Sequence, residues 1–110
     1  MVQSKCGLFD NEFKVDAAYF KALSHPARLQ ILKFLSDSNI CITGDISNQL
    51  PLGRTTVNQH INELKAAGLI IGHIDGVNTK YCLNIEKIED MKRSVNCFMD
   101  SLNADNFKCE

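Results

Sequence analysis

The 110-residue sequence predicts a mainly α-helical domain that carries one small β-hairpin. Three observations lead there. Apolar residues recur every three or four positions over most of the chain. The pattern turns β-branched and alternating only after Leu69, and Asp75-Gly76 sits between the two alternating runs as a hairpin signal. With 45% hydrophobic and 23% charged residues, the composition is that of an ordinary folded domain, and the length accommodates one.

The elements follow in order. Residues 1–10 lack periodicity and read as a flexible arm. Phe13, Ala17, Phe20 and Leu23 set a first helix over residues 11–23. Ser24-His25-Pro26 breaks it and opens a second, with Ser24 as cap and Pro26 in the first turn. Leu29, Leu32 and Leu35 form the stripe of that second helix, widened by Ile31 and Phe34, and Asp37-Ser38-Asn39 ends it. A short third helix is expected from Thr43, its cap, to Leu50, with Asp45 favourable to the helix dipole. After Pro51-Leu52-Gly53, a fourth helix turns Val57, Ile61 and Leu64 inward and stops at Gly68. The hairpin strands cover residues 69–74 and 79–85. Tyr81, Leu83 and Ile85 point one way, and Lys80, Cys82 and Asn84 the other. A last helix over residues 86–103 carries a narrow stripe of Ile88, Met91, Val95, Phe98 and Leu102. Residues 104–110 read as a frayed tail, which leaves one domain over residues 11–103.

Helix, helix, short helix, tight turn, helix, hairpin, helix (α-α-α-α-β-β-α) is the order of a winged helix-turn-helix, with residues 43–68 as the helix-turn-helix. Once Val57, Ile61 and Leu64 face inward, the outer surface of the fourth helix is made of short polar or basic side chains. Arg54, Thr55, Thr56, Asn58, Gln59 and His60 are of the kinds that hydrogen-bond base edges and phosphates in a major groove. Lys65 and, on the wing, Lys80 are further candidates for the flanking backbone. His60 and Thr56 have a second reading as braces of the helix-turn-helix. The stretch from Gly53 to Lys80 has three basic residues against two acidic, a surplus of +1, so each copy makes few phosphate contacts and salt sensitivity is moderate.

Several linked stretches resemble the ArsR/SmtB family of winged-helix repressors. They are Ala22-Leu23-Ser24-His25-Pro26-Ala27-Arg28-Leu29-Gln30-Ile31-Leu32, residues 52–64, and Ala66-Ala67-Gly68-Leu69-Ile70. Thr56-Val57-Asn58-Gln59-His60-Ile61 is similar to the family's T-V-S-Q-H-L signature, with Asn58 for Ser and Ile61 for Leu. The resemblance spans residues 12–102. It implies a homodimer built from the first and last helices, bound to a near-palindromic operator on double-stranded DNA and released by an inducer. The narrow stripe on the last helix and the surplus apolar surface on the first point to the same dimer. A two-fold axis would set the two reading helices about 34 Å apart.

Five cysteines at irregular spacing (Cys6, Cys41, Cys82, Cys97, Cys109) read as thiols rather than a disulfide framework. Many members of the family bind soft metals or arsenite through C-x-C at the start of the third helix. The matching stretch here, Cys41-Ile42-Thr43-Gly44-Asp45, keeps the first cysteine and replaces the second with Thr43, a poor ligand for a soft ion. An arsenite or soft divalent metal site would need Cys41 with Cys6 and Cys109 from the chain ends; the other reading makes Cys41 a small buried hydrophobe. Cys82 is expected to be exposed and far from the others, and Cys97 to be accessible. A Cys41–Cys97 or Cys6–Cys41 redox switch is the alternative sensor, so a thiol-based redox-sensing repressor of the same fold is a second reading. The family's other metal site, on the last helix, needs histidines, and none follows His73.

No required cofactor is expected. The sequence has no phosphate loop, dinucleotide fingerprint or nucleophile elbow, which argues against an enzyme. A winged helix used as a protein-interaction module is the rival binding function, though such an interface would be expected to expose an aromatic or aliphatic anchor where this chain has Arg-Thr-Thr-x-Asn-Gln-His. The amino-terminal residues lack a secretory pattern and no apolar run is of membrane length, so a cytoplasmic location is expected.

Overall fold

The computed structural model describes residues 10–38, 41–43, 50–75, 78–102 and 108. Its elements are α1 (Asn11–Ala22), α2 (Pro26–Ser38), β1 (Ile42–Thr43), α3 (Arg54–Ala66), β2 (Ile70–Asp75), β3 (Asn78–Leu83) and α4 (Ile85–Ser101). The short helix expected before the tight turn falls on residues 44–49, outside the described residues. Thr43, its expected cap, lies in β1 opposite Lys80. Of the expected arm over residues 1–10 only Asp10, the N-cap position of α1, is described, and most of the expected tail also lies outside the described residues.

The core forms where α2, α3 and the sheet meet. Ile31 and Leu35 from α2, Val57, Ile61 and Leu64 from α3, and Leu69 and Ile70 beyond it are all buried. Ala27, Ile31 and Leu35 recur at four-residue spacing and set the inward line of α2. Leu29, expected on the inward stripe, is 51% exposed as a result. The cap of α2 is also corrected. His25 precedes the first helical residue and its Nδ1 accepts from the Ala27 amide at 3.0 Å, whereas the Ser24 hydroxyl donates back to the Lys21 carbonyl at the end of α1.

On α1 the apolar stripe and the buried face differ. Asp16, Tyr19 and Ala22 are buried, while Phe13 and Ala17 are exposed. The buried polar groups have partners on α4: the Tyr19 hydroxyl donates to Asp90 and the Ser94 hydroxyl to Asp16. Burial first, and then the hydrogen bond to Asp90, push the Tyr19 phenol up to about 12. The Lys87 ammonium lies 5.5 Å above the Tyr19 ring, and Phe20 meets Phe98 edge to face with centroids 6.0 Å apart. Even so, α4 buries none of its residues completely; Ile88, Met91 and Val95 are half-covered by the core, and Met99 and Leu102 face outward.

α3 ends in a full Schellman motif. Gly68 adopts φ +83°, its amide donates to the Lys65 carbonyl, and the Leu69 amide donates to the Leu64 carbonyl. Leu64 and Leu69 are both fully buried, which supplies the hydrophobic contact of that motif. β2 starts at the next residue. The sheet has strand order β1-β3-β2 and is antiparallel throughout, with Ile70 opposite Leu83 and Asp75 opposite Asn78. Tyr81 and Leu83 pack against the core as expected. Ile85 does not share their face: the chain leaves the strand at Asn84, whose side chain accepts from the Lys87 amide and caps α4, so Ile85 is 61% exposed.

The outer edge of the sheet corrects the reading of the cysteines. The β1–β3 register pairs Ile42 with Tyr81, which brings Cys41 opposite Cys82, and the two form a disulfide with Cα atoms 4.4 Å apart. Cys82 is therefore half-buried against Cys41 rather than exposed and remote. Cys97 is a free thiol, exposed on α4. No helix among the described residues is long and apolar enough to cross a membrane.

Candidate nucleic-acid interface

The outward side of α3 is built from its periodicity. Val57, His60, Ile61 and Leu64 are buried, and this fixes the rotation of the helix. Thr55, Asn58, Gln59 and Asn62, at i, i+3, i+4 and i+7, then form one exposed polar stripe. Arg54 and Thr56 are exposed beside it in the first turn. Five of the expected contacts (Arg54, Thr55, Thr56, Asn58 and Gln59) thus share an accessible surface. Asn62 belongs to it too; its position two turns after Thr55 was the available signal.

Helix α3 begins at Gly53, which offers no side-chain cap, and a Cβ placed there would meet nothing within 4 Å. The positive end of the α3 dipole therefore stands at Gly53 with no side chain of the cap residue over it. Lys65 departs from the stripe. Its side chain lies across β2, so that a Cβ built on Gly72 would be 3.1 Å from the Lys65 Nζ. Lys80 is exposed on β3, between Thr43 of β1 and His73 of β2.

His60 takes the bracing position. It is 8% exposed, and its Nδ1 accepts from the Arg28 Nε at 3.1 Å. The same guanidinium donates through Nη1 to the carbonyls of Lys21 (3.1 Å) and Ala22 (3.4 Å), the last turn of α1. The His25 ring packs against His60 with centroids 4.2 Å apart. Burial, then the proximity of His25 and Arg28, hold the His60 pKa below the ordinary histidine value, with Glu63 opposing. Arg28 therefore ties α1, α2 and α3 together through a neutral imidazole. The sequence reading passed over Arg28, whose only signal was its place in the Ser-His-Pro-Ala-Arg stretch.

Of the expected soft-metal donors, the described residues include Cys41 alone. Cys41 is spent in the disulfide, and Cys6 and Cys109 lie outside the described residues. Among the described residues no group of three or more His, Cys, Asp or Glu side chains could hold a metal ion.

Residues 25–71 match the family model described as "Bacterial regulatory protein, arsR family". The chain is 32% identical to the transcriptional repressor SdpR of Bacillus subtilis over 84 residues, which covers 76% of this chain and 89% of that protein. It is 33% identical to the HTH-type transcriptional regulator YgaV of Escherichia coli over 72 residues, 66% of this chain and 73% of that one. Among solved structures, an ArsR-like transcriptional regulator from Rhodococcus sp. RHA1 superimposes with a TM-score of 0.66 at 23% identity, covering 81% of this chain and 83% of that one. The homodimeric winged helix-turn-helix DNA-binding domain of Mb0332 from Mycobacterium bovis does so with a TM-score of 0.62 at 22% identity, covering 94% and 98%. Helices, hairpin wing and sequence kinship agree: the chain belongs to the arsR family of bacterial regulatory proteins and is a transcriptional regulator, not an enzyme.

Proposed function

We propose that the protein is a dimeric repressor that reads double-stranded operator DNA with α3 and steadies itself on the flanking backbone with the wing. The observation that carries this reading is the exposed stripe Thr55, Asn58, Gln59 and Asn62 beside Arg54, on a helix whose opposite face is wholly buried. These side chains donate and accept hydrogen bonds at base edges, and Arg54 is suited to a guanine or a phosphate. No large apolar anchor stands among the exposed α3 residues, which favours DNA over a protein partner.

The dimer reading is supported by apolar surface that one chain leaves open. Phe13 and Val15 on α1 and Met99 and Leu102 near the end of α4 are exposed large hydrophobics, and α4 has no buried residue of its own. A second copy laid against α1 and α4 would cover them, as the homodimeric neighbour makes reasonable. Such a regulator works beside the chromosome, in the cytoplasm. Relief by arsenite or a soft metal at Cys41 requires its sulfur as a thiolate, so that response belongs to the reduced protein.

The test is a salt-dependent gel shift with the duplex upstream of the protein's own gene. Arg54→Ala and Gln59→Ala are expected to abolish specific binding while leaving the circular dichroism and melting of the protein unchanged. Wild-type binding by both variants overturns the assignment of α3 as the reading helix.

A further inference from the structure

We infer that Cys41 and Cys82 are a reversible dithiol–disulfide couple that sets the strength of DNA binding, closed for tight binding and open for weak; this rests on the DNA reading above. The two sulfurs join the start of β1 to the middle strand of the wing. Among the described residues β1 spans two, and besides the disulfide they are held to β3 by the pairs Ile42–Tyr81 and Thr43–Lys80. So short a ladder is marginal in water, and the covalent bond is what makes the third strand of the sheet durable. Lys80, the wing's candidate phosphate contact, lies two residues from Cys82 on the same face of β3. Cys41, for its part, sits on the chain that runs on to the core residue Leu50 and then to α3. The bond thus sits at the β1 edge of the sheet, the edge away from β2 and its corner at Gly68.

Tyr81 and Leu83 face the core, so Cys82 between them points to the other side of the sheet, where both cysteines are half-buried. A dithiol reductant can reach them there. Its thiolate attacks the Cys82 sulfur and expels the Cys41 thiolate, which takes a proton. The second thiol of the reductant then displaces Cys82 from the mixed disulfide. Two electrons and two protons end on Cys41 and Cys82, and the reductant leaves as a disulfide. A small disulfide such as oxidised glutathione runs the exchange backwards. Opening leaves β1 on its backbone pairs and the packing of Ile42 against the core, and a loosened wing edge must be ordered again when it meets a duplex, which weakens binding.

The experiment uses the full chain in dithiothreitol and in oxidised glutathione. Differential alkylation with mass spectrometry reads the bond, hydrogen exchange reads residues 41–43 and 79–83, and fluorescence anisotropy reads affinity for the duplex upstream of its own gene. Expected are a Cys41–Cys82 linkage that opens and recloses, faster exchange in both segments when open, and about tenfold weaker DNA binding in dithiothreitol. Cys41→Ser and Cys82→Ser should hold the weak value in either condition, and Cys97→Ser should still respond. Failure of the linkage to form, equal affinity of both forms for the duplex, or a response that persists in Cys41→Ser overturns the inference. If neither form binds the duplex, the DNA reading is what fails, and the couple stands or falls on the exchange difference, an unchanged pattern in both segments refuting it.

Discussion

Arg28→Ala tests the clamp that positions α3. The substitution removes the donor to His60 Nδ1 and the two donors to the α1 carbonyls. His60 is 8% exposed, so its nitrogen loses its charged donor with little access to water, at a cost of about 1–3 kcal/mol. The Lys21 carbonyl is exposed and recovers water, and the bond to the part-buried Ala22 carbonyl is long at 3.4 Å, so these two add about 0.5 kcal/mol. A total near 2 kcal/mol corresponds to a fall in melting temperature of about 10 °C for a chain of this size. The assay is urea and thermal unfolding at fixed protein concentration, because dimerisation would move the midpoint with concentration. The double variant with His60→Ala completes the argument: removing His60 should cost about 1 kcal/mol less once Arg28 is gone. A loss below about 0.5 kcal/mol in Arg28→Ala, or simple additivity with His60→Ala, refutes the clamp.

The depressed His60 pKa gives the clamp a pH signature. The folded chain resists a proton that the unfolded chain accepts, so stability is full above about pH 6.5 and declines as the pH falls through the ordinary histidine value toward the lower folded one. Urea midpoints from pH 7.5 to 5 should show this decline, and His60→Gln should flatten it; an unchanged slope in that variant rules His60 out as its source. On the proposed dimer face, Phe13→Asp combined with Met99→Asp should yield monomers by light scattering with helix content retained, since both side chains are already exposed in the single chain. A dimer that survives both charges would place the contact elsewhere.

Much of the architecture was legible because helix and hairpin periods depend on local pattern. Gly68 announced the end of α3, and Asp75-Gly76 announced the hairpin, through backbone rules that need no knowledge of tertiary structure. The buried face of α1 was not legible from apolar pattern, for a physical reason. Asp16 and Tyr19 are tolerable inside only because Ser94 and Asp90 meet them, 78 and 71 residues away. Ala27 displaced Leu29 from the α2 interior because position on the helix, not side-chain size, decides what the core touches. A two-residue strand is too short to leave a period, so β1 and the meeting of Cys41 with Cys82 were hidden. The exposed α3 stripe was readable directly; the double role of His60 was settled only by Arg28, 32 residues earlier.

The corner at Gly68 has a mechanical meaning. Three residues separate α3 from β2, their amides all donate back to carbonyls of the last turns of α3, and the Leu69 carbonyl accepts from the Asn84 amide where β3 gives way to α4. No hinge is available there. At this corner β2 is carried along by α3, so on the DNA reading a half-site with altered groove width would be met by tilting helix and strand together, and any loosening of the wing would begin at its far edge, β1.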